Sequence, residues 1–365
     1  VESKPRLHRL KISTPRAFPM EFSSMLVRLL SLFALVLFVS AEAHAAKRVD
    51  LDYHVRFLPD EDQAEVQLIL EKGEAVRSLE FNLGADGYYS DFVADGEWLQ
   101  ASPERGAWRP AEGKARLSYR VRISHPRDNG RYDARMTSDW ALFRGDDLVP
   151  PARLDQVDGV KLVSRITFEL PEGWKSIETG WPRVGKNRFR VDNRERLFDR
   201  PTGWMLAGKL GTRRAKLGET DVTIAAPVGE GVRRMDILTM LTFVWPQVQN
   251  VFPRDPAKLL IVGAGDPMWR GGLSGPNSLY MHADRPMVSE NGTSSLVHEL
   301  VHFLQNFSGT YQEVECKQQL EVDAYEVQGL YIDLMGIDPK QKPDPLFAVI
   351  SSLCPSKWPL FFEGG

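Results

Sequence analysis

From Val49 onward apolar and polar residues alternate: Val49, Leu51, Tyr53, Val55 and Phe57 are interleaved with Asp50, Asp52, His54 and Arg56. A period of two puts one set on a buried face and the other in water, the signature of a half-buried β-strand. The same alternation recurs at 65–71, 78–82, 116–123, 162–170 and 188–191. Turn clusters such as Pro59-Asp60-Glu61-Asp62 and Asp128-Asn129-Gly130 separate the runs. Short strands repeated without long helical stretches predict an antiparallel β-sandwich or saddle-shaped sheet over residues 46–215. A strand over 203–210 closes that part, and a basic turn, Thr212-Arg213-Arg214, follows.

The rhythm then changes. Residues 220–226 read as a strand. Val232, Met235, Leu238 and Leu241 recur at helical spacing, predicting a helix over 232–251 that Pro246 kinks or ends early. A short apolar strand at 259–262 precedes a glycine-rich segment at 271–276 and another strand at 279–283. Two helices are expected over 293–307 and 313–335, with Gly336 in the stop position. Strands giving way to a helix pair define a second domain over 216–365, so the fold class is α+β.

The 365 residues suffice for two domains with full cores. A net charge of −3, with both signs interspersed, leaves no clustered basic face and excludes nucleic acid as a partner. The apolar run 29–39 follows Arg28 and precedes Ala43-His44-Ala45, which describes a secretory signal peptide cleaved after Ala45. Residues 1–45 are then an upstream extension and leader, with translation starting at Met20 or Met25. The mature protein is secreted or periplasmic, with no stable membrane span after cleavage. An uncleaved anchor is the rival, although the run is shorter than the roughly 20 residues a span needs. The cysteines, Cys316 and Cys354, form one disulfide in an oxidising compartment or remain two buried thiols. Asn291-Gly292-Thr293 matches a glycosylation sequon and reads more simply as the turn and N-cap of the helix that follows.

Chemistry concentrates in Leu296-Val297-His298-Glu299-Leu300-Val301-His302-Phe303-Leu304. On a helix His298 and His302 lie one turn apart on one face, so both imidazoles reach a single ion. The other side chains are apolar, and two histidines with a glutamate in so oily a helix must be ligated or paired. A catalytic zinc takes three protein ligands and keeps its fourth position for water. The second helix offers Glu321 as the third ligand, after eighteen intervening residues from His302. Its face continues through Ala324, which permits close approach, and through Tyr325 and Gln328, which are placed to support the ligands. Asp323 and Glu326 point off that face. The bland alternative is two core histidines in a hydrogen-bond network with a solvated carboxylate nearby.

His-Glu-x-x-His, eighteen residues, then Glu resembles the gluzincin zinc metallopeptidases, particularly the aminopeptidase N and glycyl aminopeptidase groups. The resemblance implies a β-rich domain followed by a thermolysin-like zincin domain. It also implies zinc on His298, His302 and Glu321, Glu299 as general base, and a peptide or protein substrate. Phe198-Asp199-Arg200-Pro201 through Leu210 looks like the end of the first of those domains. Two departures stand out. Gly271-Gly272-Leu273-Ser274-Gly275 has serine where such aminopeptidases carry the glutamate that holds a free amino terminus. The tyrosine that stabilises the oxyanion in those enzymes has no counterpart beyond Tyr331, so Tyr280, His282, Tyr311 or Tyr325 must stand in. Tyr280 and His282, alternating on one face of the strand before the zinc helix, and Gly272 are the candidate substrate contacts. Trp269 and Arg270 line a groove or simply pack. The alternative is a non-catalytic zinc-binding envelope protein that retains the peptidase fold.

Overall fold

A computed structural model describes residues 47–192, 198–252, 255–275, 277–284, 290–308 and 318–336, with Asp338 and Lys340. The leader at 1–45, Cys316, Cys354 and Tyr311 lie outside the described residues. Arg48–Gly365 is one compact unit. Among the described residues no helix is long and apolar enough to cross a membrane.

The upstream part is almost all strand: β1 (Lys47–Leu58), β2 (Gln63–Leu70), β3 (Val76–Asn82), β4 (Tyr89–Ala94), β5 (Gly96–Ser102), β6 (Arg105–Pro110) and β7 (Ala115–Arg122). It continues through β8 (His125–Pro126), β9 (Tyr132–Met136), β10 (Trp140–Arg144), a single turn α1 (Gly145–Leu148), β11 (Ala152–Gln156), β12 (Val160–Glu169), β13 (Ser176–Thr179), β14 (Arg188–Val191) and β15 (Trp204–Gly208). These make three sheets, ordered β14-β12-β1-β2-β7-β4, β13-β15-β10-β9-β8 and β11-β3-β6-β5. The β1–β2 and β2–β7 ladders are antiparallel and match apolar to apolar: Tyr53 sits opposite Leu68, and Leu68 opposite Leu117. A one-residue slip would turn every one of these side chains into water, so the alternation fixes the register.

The three sheets share one core. Phe57 packs on Phe143 and Phe168, with ring centroids 5.4 and 6.0 Å away. Buried tyrosines keep their hydroxyls satisfied: Tyr53 donates to the Asp199 carbonyl and Tyr119 to that of Leu148, both at 2.8 Å. Strands β4 and β5 carry no predicted alternation because neither buries a full face. Hydrogen bonding to neighbouring strands sets their place instead.

The basic turn expected at Thr212-Arg213-Arg214 is a strand. Residues Leu210–Leu217 form β16, an edge strand antiparallel to β17 (Thr220–Pro227), with Arg213 opposite Ile224. Exposed charge there suits an edge, where it discourages pairing with another chain. Helix α2 (Arg234–Val251) runs straight through Pro246 and ends five residues later, so the proline does not stop it. Strands β18 (Lys258–Val262) and β20 (Ser278–Met281) extend the sheet in parallel. Within the glycine-rich segment Gly272–Gly275 is β19, the other edge, antiparallel to β20.

This fourth sheet is covered on both faces, which is why β18 and β20 read as unbroken apolar runs. Leu279 and Met281 pack with Leu296, Val297 and Leu300 of α3 (Glu290–Ser308) and with α2. Tyr280 points the other way, onto Trp140, Trp204 and Leu206. Trp204 anchors the edge hairpin by two hydrogen bonds: its backbone N–H to Ser278 Oγ at 2.7 Å and its indole N–H to the Leu273 carbonyl at 3.1 Å. Helix α4 (Gln318–Leu334) lies against α3. Helix α3 starts at Glu290, so Asn291-Gly292-Thr293 falls inside its first turns rather than forming its cap.

The end of β13 abuts the turn between β19 and β20. A Cβ on Gly180 would lie 2.6 Å from the Asn277 carbonyl oxygen. Gly180→Ala should therefore destabilise the protein by about 1–3 kcal/mol through overpacking against backbone. Urea unfolding measures it, and an unchanged midpoint would mean that the two segments do not touch.

Candidate metal centre

Helix α3 buries itself on most sides: Leu296, Val297, Leu300, Val301, Phe303 and Leu304 are at most 2% exposed. The remaining face carries His298 and His302, and it meets the α4 face that carries Glu321 and the fully buried Ala324. The small side chain at Ala324 lets the two helices close up.

The three ligand atoms lie within 4.8 Å of one another. His298 Nε2 and His302 Nε2 are 3.0 Å apart. Each is 3.4 Å from a different oxygen of Glu321, Oε2 for His298 and Oε1 for His302. Ligand atoms about 2 Å from a tetrahedral zinc stand about 3.3 Å from one another, so the spacing suits that ion. The donor set is two imidazoles and a carboxylate, three of the four donors that a tetrahedral zinc takes.

The electrostatics agree. Glu321 is held well below the usual carboxylate range, first by hydrogen bonds to His298 and His302. Burial works to lower the pKa of His302, but the hydrogen bond and charge of Glu321 outweigh it and the net shift is upward. Glu321 thus favours a proton on His302, and a cation bound by the same atoms would compete with that proton. His298 Nδ1 is buried and has no hydrogen-bond partner among the described residues.

Glu299 lies one position along α3, against the edge strand. The backbone N–H of Ser274 donates to its Oε2 at 2.8 Å. Burial raises the Glu299 pKa, and the two histidines and the Ser274 N–H only partly offset this. Gly272 explains the close approach: a Cβ there would sit 3.0 Å from Met281 Sδ and 3.2 Å from Glu299 Cγ.

Tyr325 is where its spacing from Glu321 puts it, its ring centroid 4.5 Å from that of His298. Gln328 is buried on the same α4 face. Among the described residues it makes no hydrogen bond to the three ligand side chains. Tyr280 and His282 are not brought to the trio. Tyr280 faces away from α3, and its hydroxyl donates to the Trp269 carbonyl at 2.6 Å. Strand alternation carries His282 to that same far face, where Asp266 lies 3.5 Å from its Nε2. Asp266, His282 and Asp284 are close enough to suggest a second cation site. However, the Asp284 backbone N–H donates to His282 Nδ1 at 3.1 Å, so Nε2 carries the proton and has no lone pair to offer. Arg270 and Arg131 also occupy Asp266. Arg127 lies 4.7 Å over the Trp269 ring, and the exposed Arg270 pairs with Asp266.

Two features of the centre escape a reading by motif. One is the Ser274 N–H, which a glycine-rich segment hides by looking like loop. The other is Gln305, 1% exposed, whose Oε1 lies 3.0 Å from His302 Nδ1. Its signal was available: it is a polar residue three positions beyond His302, on the same face of an oily helix.

No family model and no curated protein matches the chain. Solved structures do. An aminopeptidase N family protein from Idiomarina loihiensis matches with a TM-score of 0.54 at 16% identity, over 69% of this chain and 47% of its own. An M1 zinc metallopeptidase from Deinococcus radiodurans matches at 15% identity and a TM-score of 0.45, over 84% of this chain and 75% of its own. The shared fold is read from the first, of which this chain spans about half. The structural neighbours are thus an aminopeptidase N family protein and M1 zinc metallopeptidases, and this chain's own architecture is mixed and sheet-rich.

Because folding raises the Glu299 pKa, the folded protein holds that proton more tightly than the unfolded chain does. The ionised carboxylate therefore costs stability once pH passes above the ordinary carboxylate range. Metal-free Glu299→Gln should match the parent in acid and melt higher at neutral pH. Thermal unfolding at both pH values checks this, and a lower neutral melting point for the variant would contradict it.

Proposed function

We propose that the chain is an exported zinc-dependent peptidase or related amide hydrolase. In this reading a β-rich part over 46–215 is followed by a thermolysin-like catalytic part over 216–365. The observation that carries it is the convergence of His298, His302 and Glu321 with the partly buried carboxylate of Glu299 beside them. A site serving structure alone needs no base next to its ligands.

His298 and His302, through Nε2, and Glu321, through its carboxylate, would hold the ion. Zinc supplies Lewis acidity, polarising a substrate carbonyl and making water a nucleophile near neutral pH. Glu299 takes the proton of the attacking water and passes it to the departing amine. The Ser274 N–H holds Oε2, which leaves Oε1 as the proton-carrying atom. A carboxylate whose pKa is raised by burial is better matched to this work at neutral pH than an ordinary one. Gly272 keeps the edge strand within contact of the base, and the strand's backbone offers an extended peptide a line of partners. Tyr325, packed on His298, steadies that ring.

Ser274 supplies no carboxylate to pair with a free amino terminus. Blocked or internal peptide bonds should therefore be cut as readily as N-terminal ones. The test is zinc stoichiometry together with hydrolysis of a peptide library, for the natural protein and for Glu299→Gln. We expect one zinc in each and turnover at least about a hundredfold lower in the variant. N-acetylated peptides should be cleaved at rates comparable to free ones. If both proteins bind zinc and neither cleaves, the chain is a zinc-binding envelope protein without turnover.

A further inference from the structure

Gln305 is an amide enclosed by the α3–α4 interface. It is 1% exposed and reaches the first turn of α4. A buried primary amide must satisfy both its oxygen and its nitrogen, and the identity of its partners decides which way round it sits. One partner is the backbone carbonyl of Leu320, 3.1 Å from Nε2. A carbonyl can only accept, so the amide NH2 faces it, and the reverse orientation would set two oxygens against each other. The second proton of Nε2 is directed at Asp323 Oδ2, 3.5 Å away. Gln319 Nε2 fixes the other oxygen of Asp323 from 2.7 Å.

With the nitrogen committed, Oε1 is what meets His302 Nδ1 at 3.0 Å. An amide oxygen carries no proton, so Nδ1 must be the donor. In neutral imidazole a proton on Nδ1 leaves the lone pair on Nε2. That Nε2 is the atom 3.0 Å from His298 Nε2 and 3.4 Å from Glu321 Oε1. We infer that Gln305 is a positioning residue: it fixes His302 in the Nδ1–H tautomer so that the Nε2 lone pair faces the point shared with His298 and Glu321, while docking the start of α4.

The second half of that role follows from sequence adjacency. Leu320, whose carbonyl the amide holds, immediately precedes Glu321. One side chain thus fixes the tautomer of one ligand and the backbone next to another, across two helices. The histidines are unequal in this respect. His298 has no hydrogen-bond partner at Nδ1 among the described residues and is oriented by the Tyr325 ring. Loss of Gln305 would leave neither histidine held by a hydrogen bond at Nδ1, and outer partners of this type are commonly worth a factor of 10–100 in metal affinity.

The inference rests on the metal-binding reading for its purpose, but its geometry can be tested without metal. Nitrogen NMR of the metal-free natural protein, with His302 assigned and its ring neutral, reports which nitrogen carries the proton. The expected result is Nδ1–H, and an Nε2–H tautomer overturns the inference outright. Gln305→Met keeps the length and volume of the side chain and removes both hydrogen bonds. Gln305→Glu keeps the acceptor facing Nδ1 and loses the donor to Leu320. With thermal melts confirming folded protein, Gln305→Met should lose the uniform Nδ1–H signal and bind zinc about 10–100-fold more weakly in a chelator competition. Gln305→Glu should retain the Nδ1–H signal. A folded Gln305→Met variant with an unchanged tautomer and zinc affinity within twofold of the parent would also overturn the role. If the natural protein takes up no zinc, the functional reading fails, while the tautomer result still decides the inference about Gln305.

Discussion

Three electron-pair donors brought together inside an apolar interface are the constraint around which this structure is arranged. Two imidazole nitrogens and a carboxylate within 4.8 Å of one another, walled by leucine, valine and phenylalanine, are not a resting arrangement for neutral groups. Either a proton or a metal cation must sit among them. The hydrogen bond and charge of Glu321 favour a proton on His302, and the spacing of the ligand atoms is that of a small tetrahedral ion.

The surrounding fold supplies what that cluster needs. Helix α3 delivers two ligands from consecutive turns, and the small side chain at Ala324 admits α4 close enough to deliver the third. The edge strand β19 comes within contact of Glu299 because Gly272 lacks a Cβ, and its Ser274 N–H takes one oxygen of the carboxylate. That hairpin is in turn anchored by Trp204 at the end of the upstream sheets. The β-rich part therefore bears on the centre through a specific pair of hydrogen bonds rather than by mere proximity.

Much of this was legible in the sequence because the relevant signals are local. Alternation located β1, β2, β3, β7, β12 and β14, and the helical spacing of the histidines, with three residues between them, located the face that His298 and His302 share. Glu321 and Tyr325 were readable because residues three and four apart share a helix face. What was not legible depends on partners distant in sequence. Gly272–Gly275 looks like loop until β20 pairs with it. Arg213 and Arg214 look like a turn until β17 pairs with them. Tyr280 and His282 alternate as expected, but which face meets α3 is set by the packing of Leu279 and Met281, and it is the opposite one. The first part of the α4 prediction, the cysteine pair and the leader fall outside the described residues.

The central claim is that one ion sits among His298, His302 and Glu321, and anomalous diffraction at the zinc edge on zinc-loaded crystals tests it most directly. A single strong peak bonded to both Nε2 atoms and to a carboxylate oxygen of Glu321 is the expected result. A zinc-loaded crystal with no peak there, or with zinc bound at other residues and the two imidazoles still joined to each other, would contradict it.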